Sequence, residues 1–217
     1  MLTEPLVQRL SKLYSAVLCD SLDRLGHRNQ GLAHTIRPLF PEARIIGAAR
    51  TLLSVRQLGF PEHPYQKELE ALDTVRPGDV IVFSTGNDLS AAVWGELLST
   101  AARAKGAVGA VLDGLTRDAA RIVMKTFPVF AQGISPYDSH GRSTVIAYDV
   151  PIECGGVAVN PGDVMFADFD GVIVIPKNVL EPVLDWAETK ATRERIVDEE
   201  FRKGRKVVEV FAEHGIL

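Results

Sequence analysis

Two short apolar runs, separated by one helix's worth of chain, constrain this sequence more than any other feature. Val80-Ile-Val-Phe83 follows the turn Val75-Arg-Pro-Gly78, and Ala107-Val-Gly-Ala-Val-Leu112 follows a helical stretch ending near Lys105-Gly106. Runs apolar on both faces belong in a sheet covered on both sides. Joined by a single helix, they form a βαβ unit, which predicts a parallel pair with a right-handed crossover. Around this unit, residues 44–55 read as a long strand in which Gly47 marks either a bulge or a close backbone contact. Residues 66–74 predict a short helix, and Phe127-Pro-Val-Phe130 a short buried strand. Residues 143–150, 157–159, 164–167 and 171–175 follow as strands, while 133–143, rich in Gly, Ser, Pro and Asp, read as a surface loop. Pro161-Gly-Asp-Val164 reuses the turn Pro77-Gly-Asp-Val80. At the N-terminal end, apolar spacing over residues 6–25 favours one amphipathic helix stopped at Gly26. From Asn178 onward the chain is helical and charged, broken at Gly204, with Val207, Val208, Val210 and Phe211 as an apolar face for a partner. No Pro/Gly/Ser linker interrupts it, so the expectation is one α/β domain, a mixed central sheet flanked by helices.

Composition narrows the function classes. With 217 residues, 46% apolar and 24% charged, the chain has the make-up of a globular protein with a sizeable core. Its net charge of -4 argues against a nucleic-acid partner. Arg202, Lys203, Arg205 and Lys206 are interleaved with acids and read as a solvated helix face. No apolar run reaches the ~20 residues that span a bilayer, and Met-Leu-Thr-Glu-Pro does not open like a signal peptide. Cys19 and Cys154 are too few and too far apart for a disulfide scaffold, which suits a reduced, cytoplasmic setting.

Chemistry concentrates between residues 95 and 118. Just past the second apolar run, Arg117 and Asp118 stand side by side. Residues beyond the carboxyl ends of parallel strands line the ligand crevice of α/β folds. A guanidinium there offers a planar fork to a carboxylate, and an aspartate a hard oxygen to Mg²⁺. Spacing alone equally admits a surface ion pair at a helix start. A helix opening near residues 94–96 would leave the amides of residues 95–98 free as an anion site, with Gly95 allowing close approach. One opening at Ser90 would consume those amides. Glu96 is then either a solvated helix residue or a catalytic acid.

Gly95-Glu96, twenty residues, then Arg117-Asp118 resembles the acidic-x20-Arg-Asp signature of the class II 4-hydroxy-4-methyl-2-oxoglutarate aldolases. These belong to the RraA-like family, named for a regulator of ribonuclease E. The likeness runs through Cys19-Asp-Ser-Leu22, Pro77-Gly-Asp-Val80, Ala110-Val-Leu-Asp-Gly114, Phe127-Pro-Val-Phe130, Cys154-Gly-Gly156, Pro161-Gly-Asp163, Asp168-Phe-Asp-Gly-Val172 and the closing residues 209–217. It implies a phosphohistidine-swivelling-domain-like αββα sandwich, assembled as trimers or hexamers with active sites between subunits. The C-terminal helices (about 178–217) would pack on a neighbouring subunit. It also implies that Arg117 holds a pyruvyl carboxylate and that Asp118 anchors Mg²⁺ or Mn²⁺, largely through waters. The backbone of Gly95, Glu96, Leu97 and Leu98 would complete the carboxylate cradle, and Glu96 would order metal-bound water. A neighbour would supply a C-terminal glutamate, Glu194 or else Glu199.

That resemblance implies cleavage of a 4-hydroxy-2-oxo acid to pyruvate and a second carbonyl product. The divalent cation would serve as Lewis acid for the pyruvate enolate, with Arg117 and the helix amides holding the substrate. A water ordered by Glu96 and the neighbour's glutamate would take the C4 hydroxyl proton. Oxaloacetate, losing CO₂, yields the same enolate. The alternative is a non-catalytic regulator that binds a ribonuclease. A Schiff-base lysine would interrupt an apolar run, whereas Lys105, Lys125 and Lys177 only flank such runs. The five histidines lack zinc-site spacing. Asp113, Asp168 and Asp170 read as turn formers and Cys154 as a small buried residue.

Overall fold

The chain begins with two helices where the apolar spacing predicts one. In the computed structural model, which describes residues 2–216, α1 (Glu4–Ser11) stops at Lys12, Tyr14 is extended, and α2 (Ser15–Arg24) starts afresh. Partners distant in sequence fix the break. The Arg44 guanidinium donates to the carbonyls of Leu10 and Leu13. The Asp168 carboxylate accepts the N–H and hydroxyl of Ser15 at 2.8 and 2.6 Å. Free backbone groups at both helix ends are thus satisfied from elsewhere in the fold, which local periodicity does not register. Asp168 also accepts the Asp170 N–H at 3.1 Å, so it turns a hairpin and caps a helix at once.

After β1 (Arg37–Pro38), the twelve-residue β2 (Ile45–Arg56) forms the spine of an eight-stranded mixed sheet. Next come α3 (Gln66–Asp73), β3 (Asp79–Ser84), β4 (Ala92–Trp94), α4 (Glu96–Ala104), β5 (Gly109–Leu112), β6 (Leu115–Thr116) and α5 (Ala119–Met124). β7 (Val129–Ala131), β8 (Gly133–Ile134) and β9 (Ser143–Tyr148) precede two hairpins, β10 (Ile152–Cys154) with β11 (Val157–Val159) and β12 (Val164–Asp168) with β13 (Gly171–Ile175). α6 (Leu180–Arg202) and α7 (Val207–His214) close the chain. The large sheet runs β1-β7-β5-β3-β2-β12-β13, with β9 against the second half of β2. β2, β3, β5 and β7 are mutually parallel, and the predicted βαβ pair is β3–β5, Val80 lying opposite Gly109 and Phe83 opposite Leu112. Gly47 marks a close contact, since a Cβ there would sit 2.4 Å from the Gly78 carbonyl oxygen. The irregularity in β2 falls instead between Leu53 and Ser54.

Alternation along the parallel strands feeds two cores. Val80 and Val82 pack with Val111, Phe130 and the β10–β11 hairpin, while Ile81 and Phe83 pack with Leu112, α3, α4 and α5. Both faces are covered, so the strands carry no polar alternation; each fully buried Val, Ile or Phe stabilises the fold by roughly 1.5–3 kcal/mol. A third core lies under α1, α2 and the first half of α6, where Leu180, Val183, Leu184 and Ala187 meet Val164, Phe166, Ile173 and Ile175. This half of α6 therefore packs on its own chain, clamped by Arg9 to Glu181, Asp185 and Glu188. In α7, Val210 is buried while Val207, Val208 and Phe211 stay exposed.

A second, three-stranded parallel sheet, β4-β6-β8, decides where ligands can bind. Each of its strands follows a parallel strand of the large sheet: β3 leads to β4, β5 to β6 and β7 to β8. What lies beyond the carboxyl ends of this small sheet is brought together: Gly95 after β4, Arg117 and Asp118 after β6, and Asp138 after β8, bridged to Ala92. Residues 133–143 are accordingly no mere surface loop. They contribute a strand and, through Asp138 and the buried Ser139, part of a cleft.

Candidate functional site

α4 opens at Glu96, not at Ser90, because residues 92–94 are committed to the small sheet. Gly95 is its N-cap. Trp94, buried against the sheet, donates its indole N–H to Ser99 Oγ at 2.8 Å, and that hydroxyl donates to the Gly95 carbonyl at 2.9 Å. Trp94 O in turn accepts the Arg117 N–H at 2.9 Å and the Thr116 hydroxyl at 3.1 Å. The start of α4 and the Arg117-Asp118 turn are thereby locked to one another.

Asp118 caps α5 with left-handed backbone, φ 56°, a conformation aspartate tolerates better than most residues yet still at some cost. Its Oδ2 accepts the Glu96 N–H at 3.2 Å and lies 3.8 Å from Arg117 Nε. A Cβ on residue 95 would come within 2.9 Å of Asp118 Oδ2 and 3.2 Å of Arg117 Cγ, so any larger residue there would push these two side chains aside. The first-turn amides of Leu97 and Leu98 have no intrahelical acceptor and remain at the positive end of the helix.

Arg117, Asp118, Gly95, Leu97 and Leu98 line a cleft of about 190 Å³ together with Tyr65, Glu68, Leu69, Trp94, Asp138 and Ser139. Arg117 Nη1 is 3.4 Å from Asp138 Oδ1, and the Tyr65 hydroxyl donates to Asp138 Oδ2 at 3.0 Å. Burial, then this bond to Asp138, raises the Tyr65 hydroxyl to about 12. Glu68 is only 5% exposed. Burial, then the nearby Asp138 charge, pushes its carboxyl up to about 8.

Of the residues singled out from the sequence, Gly95, Leu97, Leu98, Arg117 and Asp118 come together in this cleft; the side chains of Glu96, Glu194 and Glu199 do not line it. The Glu96 carboxylate bridges Lys125 Nζ at 2.9 Å and Arg121 Nη1 at 3.2 Å, and these two cations hold it below the usual carboxylate range. It ties α4 to α5, the helix that Asp118 caps. Glu194 lies on α6, bonded to the Tyr14 hydroxyl and 3.2 Å from Lys190 Nζ, and Glu199 is exposed on the same helix. Asp113, read as a turn former, is buried and accepts the backbone N–H groups of Thr85 and Gly155, stitching β5 to β3 and the β10–β11 hairpin. Tyr65, Glu68, Asp138 and Ser139 escaped the sequence reading. One signal was available: Glu68 shares the buried face of α3 with Ala71 and Leu72, at spacings of three and four, and a carboxyl in an apolar stripe is out of place.

Asp118 fits a hard divalent cation. Its second oxygen has no protein partner among the described residues, and Mg²⁺ or Mn²⁺ is commonly held by one carboxylate with water and ligand oxygens completing the shell. Among the described residues no group of three His, Cys, Asp or Glu side chains could enclose a metal, so a closed zinc-type cage is not formed. No helix among them is long and apolar enough to cross a membrane.

Comparison with known proteins finds relatives across most of the chain. The RraA-like model, described as Aldolase/RraA, matches residues 15–174, a span containing every cleft residue named above. A protein of Halalkalibacterium halodurans, provisionally named a 4-hydroxy-4-methyl-2-oxoglutarate aldolase, is 34% identical over 84% of this chain and 83% of its own length. The solved structure of Streptomyces coelicolor RraAS2, titled an unusual member of the RNase ES inhibitor RraA protein family, is 30% identical. It superposes with a TM-score of 0.84 over 92% of this chain and 100% of that one. An uncharacterised protein of Pseudomonas syringae pv. tomato, 27% identical, gives a TM-score of 0.84 over 96% and 98% of the two chains. Family match, relatives and shared mixed α/β architecture converge: this chain belongs to the RraA-like family.

Proposed function

We propose that this protein is a divalent-metal-dependent aldolase. It would cleave 4-hydroxy-4-methyl-2-oxoglutarate, or a related 4-hydroxy-2-oxo acid, to pyruvate and a second carbonyl product, and would also decarboxylate oxaloacetate. The observation that carries this reading is the convergence of the Arg117 guanidinium, the open amides of Leu97 and Leu98 and the Asp118 carboxylate in one cleft. Guanidinium and amides together suit a small carboxylate. A cation held by Asp118 would supply Lewis-acid stabilisation of the enolate.

Each side chain then has a definite task. Arg117 and the amides orient the pyruvyl end, so that negative charge develops where donors already point. Gly95 keeps the backbone of α4 against Asp118 and Arg117. Glu96 holds α5 through Arg121 and Lys125 and so keeps Asp118 in place. Leu69 and Leu97 line the cleft while 51% and 77% exposed, which suits a site covered by a second copy of the chain. In a trimer or hexamer of that kind, Glu194 or Glu199 of a neighbour would approach the cleft.

The test is pyruvate release from 4-hydroxy-4-methyl-2-oxoglutarate and from oxaloacetate, with and without EDTA. Release abolished by the chelator and by Asp118→Asn supports the aldolase, and release that survives both ends the metal assignment. The likeness to RraAS2 favours a second reading, a ribonuclease-binding regulator. Inhibition of a ribonuclease by the purified protein, without lyase activity, would select it.

A further inference from the structure

Glu68 is the one buried ionisable side chain lining the cleft, and the mechanism above leaves it without a task. It stands on the first turn of α3, on the face that buries Ala71 and Leu72. A carboxyl in such a place costs several kcal/mol unless its oxygens find donors. Neither a hydrogen bond nor an ion pair among the described residues satisfies it: burial and the like charge of Asp138 are its only perturbations. The neighbouring polar groups are otherwise engaged. Asp138 takes the Tyr65 hydroxyl and faces Arg117, and His140 lies against the Tyr65 ring at 5.7 Å between centroids. Asp118, the third carboxylate lining the cleft, accepts the Glu96 amide. Glu68 is thus the cleft carboxyl with its full bonding capacity unspent, lining the same cleft as Arg117 and Asp118, where a ligand would meet it.

We propose that Glu68 is the acid–base residue of the carbon–carbon cleavage, exchanging a proton with the C4 oxygen of the substrate. This rests on the aldolase reading and replaces, within one chain, the water previously expected to serve as base. The carboxylate accepts the proton of the C4 hydroxyl. The oxygen's electron pair forms the new carbonyl at C4 as the C3–C4 bond breaks, and the bonding pair passes into the enolate of pyruvate. The protonated Glu68 passes its proton to water and returns to the carboxylate, while the enolate takes its C3 proton from water, as the enolate left by oxaloacetate does, giving pyruvate. A desolvated carboxyl, more basic than one in water, suits this exchange with an alcohol.

Decarboxylation of oxaloacetate separates this role from a structural one. It needs the same enolate stabilisation but has no C4 hydroxyl to deprotonate. In Glu68→Gln, cleavage of 4-hydroxy-4-methyl-2-oxoglutarate and of simpler 4-hydroxy-2-oxo acids is expected to fall by about 100-fold or more. Oxaloacetate decarboxylation and calorimetric pyruvate binding should stay within about threefold of wild type. Equal losses in both reactions, or no loss in cleavage, would overturn the assignment while leaving the aldolase intact. Should the wild-type protein decarboxylate oxaloacetate yet cleave none of the hydroxy acids, the aldolase reading itself fails, and the role of Glu68 with it.

Discussion

The two walls of the cleft are built on opposite principles. The wall formed by Gly95, Arg117 and Asp118 is over-determined: backbone bonds from Trp94, the Glu96 amide on Asp118 and the close approach of both side chains to Gly95 fix its geometry before any ligand arrives. The wall formed by Tyr65, Glu68 and Asp138 is under-satisfied, with a carboxyl buried in α3 and no donor to meet it. Donors fixed in advance stabilise developing charge without reorganising. A buried acid without a partner is held at a pKa where it can move a proton. Positioning and proton transfer thus call for different environments, and the fold supplies both within one cleft of about 190 Å³.

The sharpest way to break this division is at Asp118. If its wall serves both reactions, Asp118→Asn should lower pyruvate release from hydroxy acid and oxaloacetate alike, by about 1,000-fold or more. A loss confined to one substrate would erase the distinction between the walls.

The other wall makes its prediction in stability. Folded Glu68 keeps its proton to about pH 8, whereas an unfolded glutamate releases it near ~4.3. The folded state binds more protons between these values, so the contribution of Glu68 is fully favourable below the unfolded pKa and is lost as pH rises toward 8. Metal-free protein should lose up to about 3 kcal/mol of stability between pH 5 and 8 on this account. Glu68→Gln should flatten that slope and raise the melting temperature at pH 8, as expected where function is bought with stability. Denaturant titrations of both proteins in EDTA at the two pH values decide it, and parallel slopes would remove the burial argument.

Gly95→Ala sets the tolerance of the fixed wall. The added methyl must displace Asp118 or Arg117, so kcat/KM for pyruvate release should drop by roughly 30-fold, with little change in melting temperature. Smallest is Tyr65→Phe, which removes the donor to Asp138 and leaves that carboxylate to Arg117. A loss of about threefold, mainly in KM, is expected from steady-state kinetics. A larger effect on kcat would move the proton-transfer role from Glu68 toward Tyr65.

Much of the fixed wall was legible in the sequence because its parts are close together along the chain and made by local rules. The apolar runs β3 and β5, the glycine before the helix and the Arg117-Asp118 turn all lie within residues 79–118. Periodicity left the opening of α4 undecided between Ser90 and Glu96. The pairing of β4 with β6, a tertiary event, settled it. The break between α1 and α2 was invisible for the same reason, its causes being Arg44 and Asp168. The role expected of Glu96 depended on where its carboxylate points, and ion pairs with Arg121 and Lys125 turn it to α5.

By itself, then, the order of residues determined the layered α/β character, the parallel core and the guanidinium–carboxylate pair beside a helix start, because strand alternation and helix capping act over a few residues. Only the tertiary structure decided that a carboxyl from α3 and an aspartate some seventy residues later would face that pair. Their meeting depends on a second small sheet carrying three separate strand ends to one place, and on burial, which no stretch of sequence possesses until the rest of the chain surrounds it.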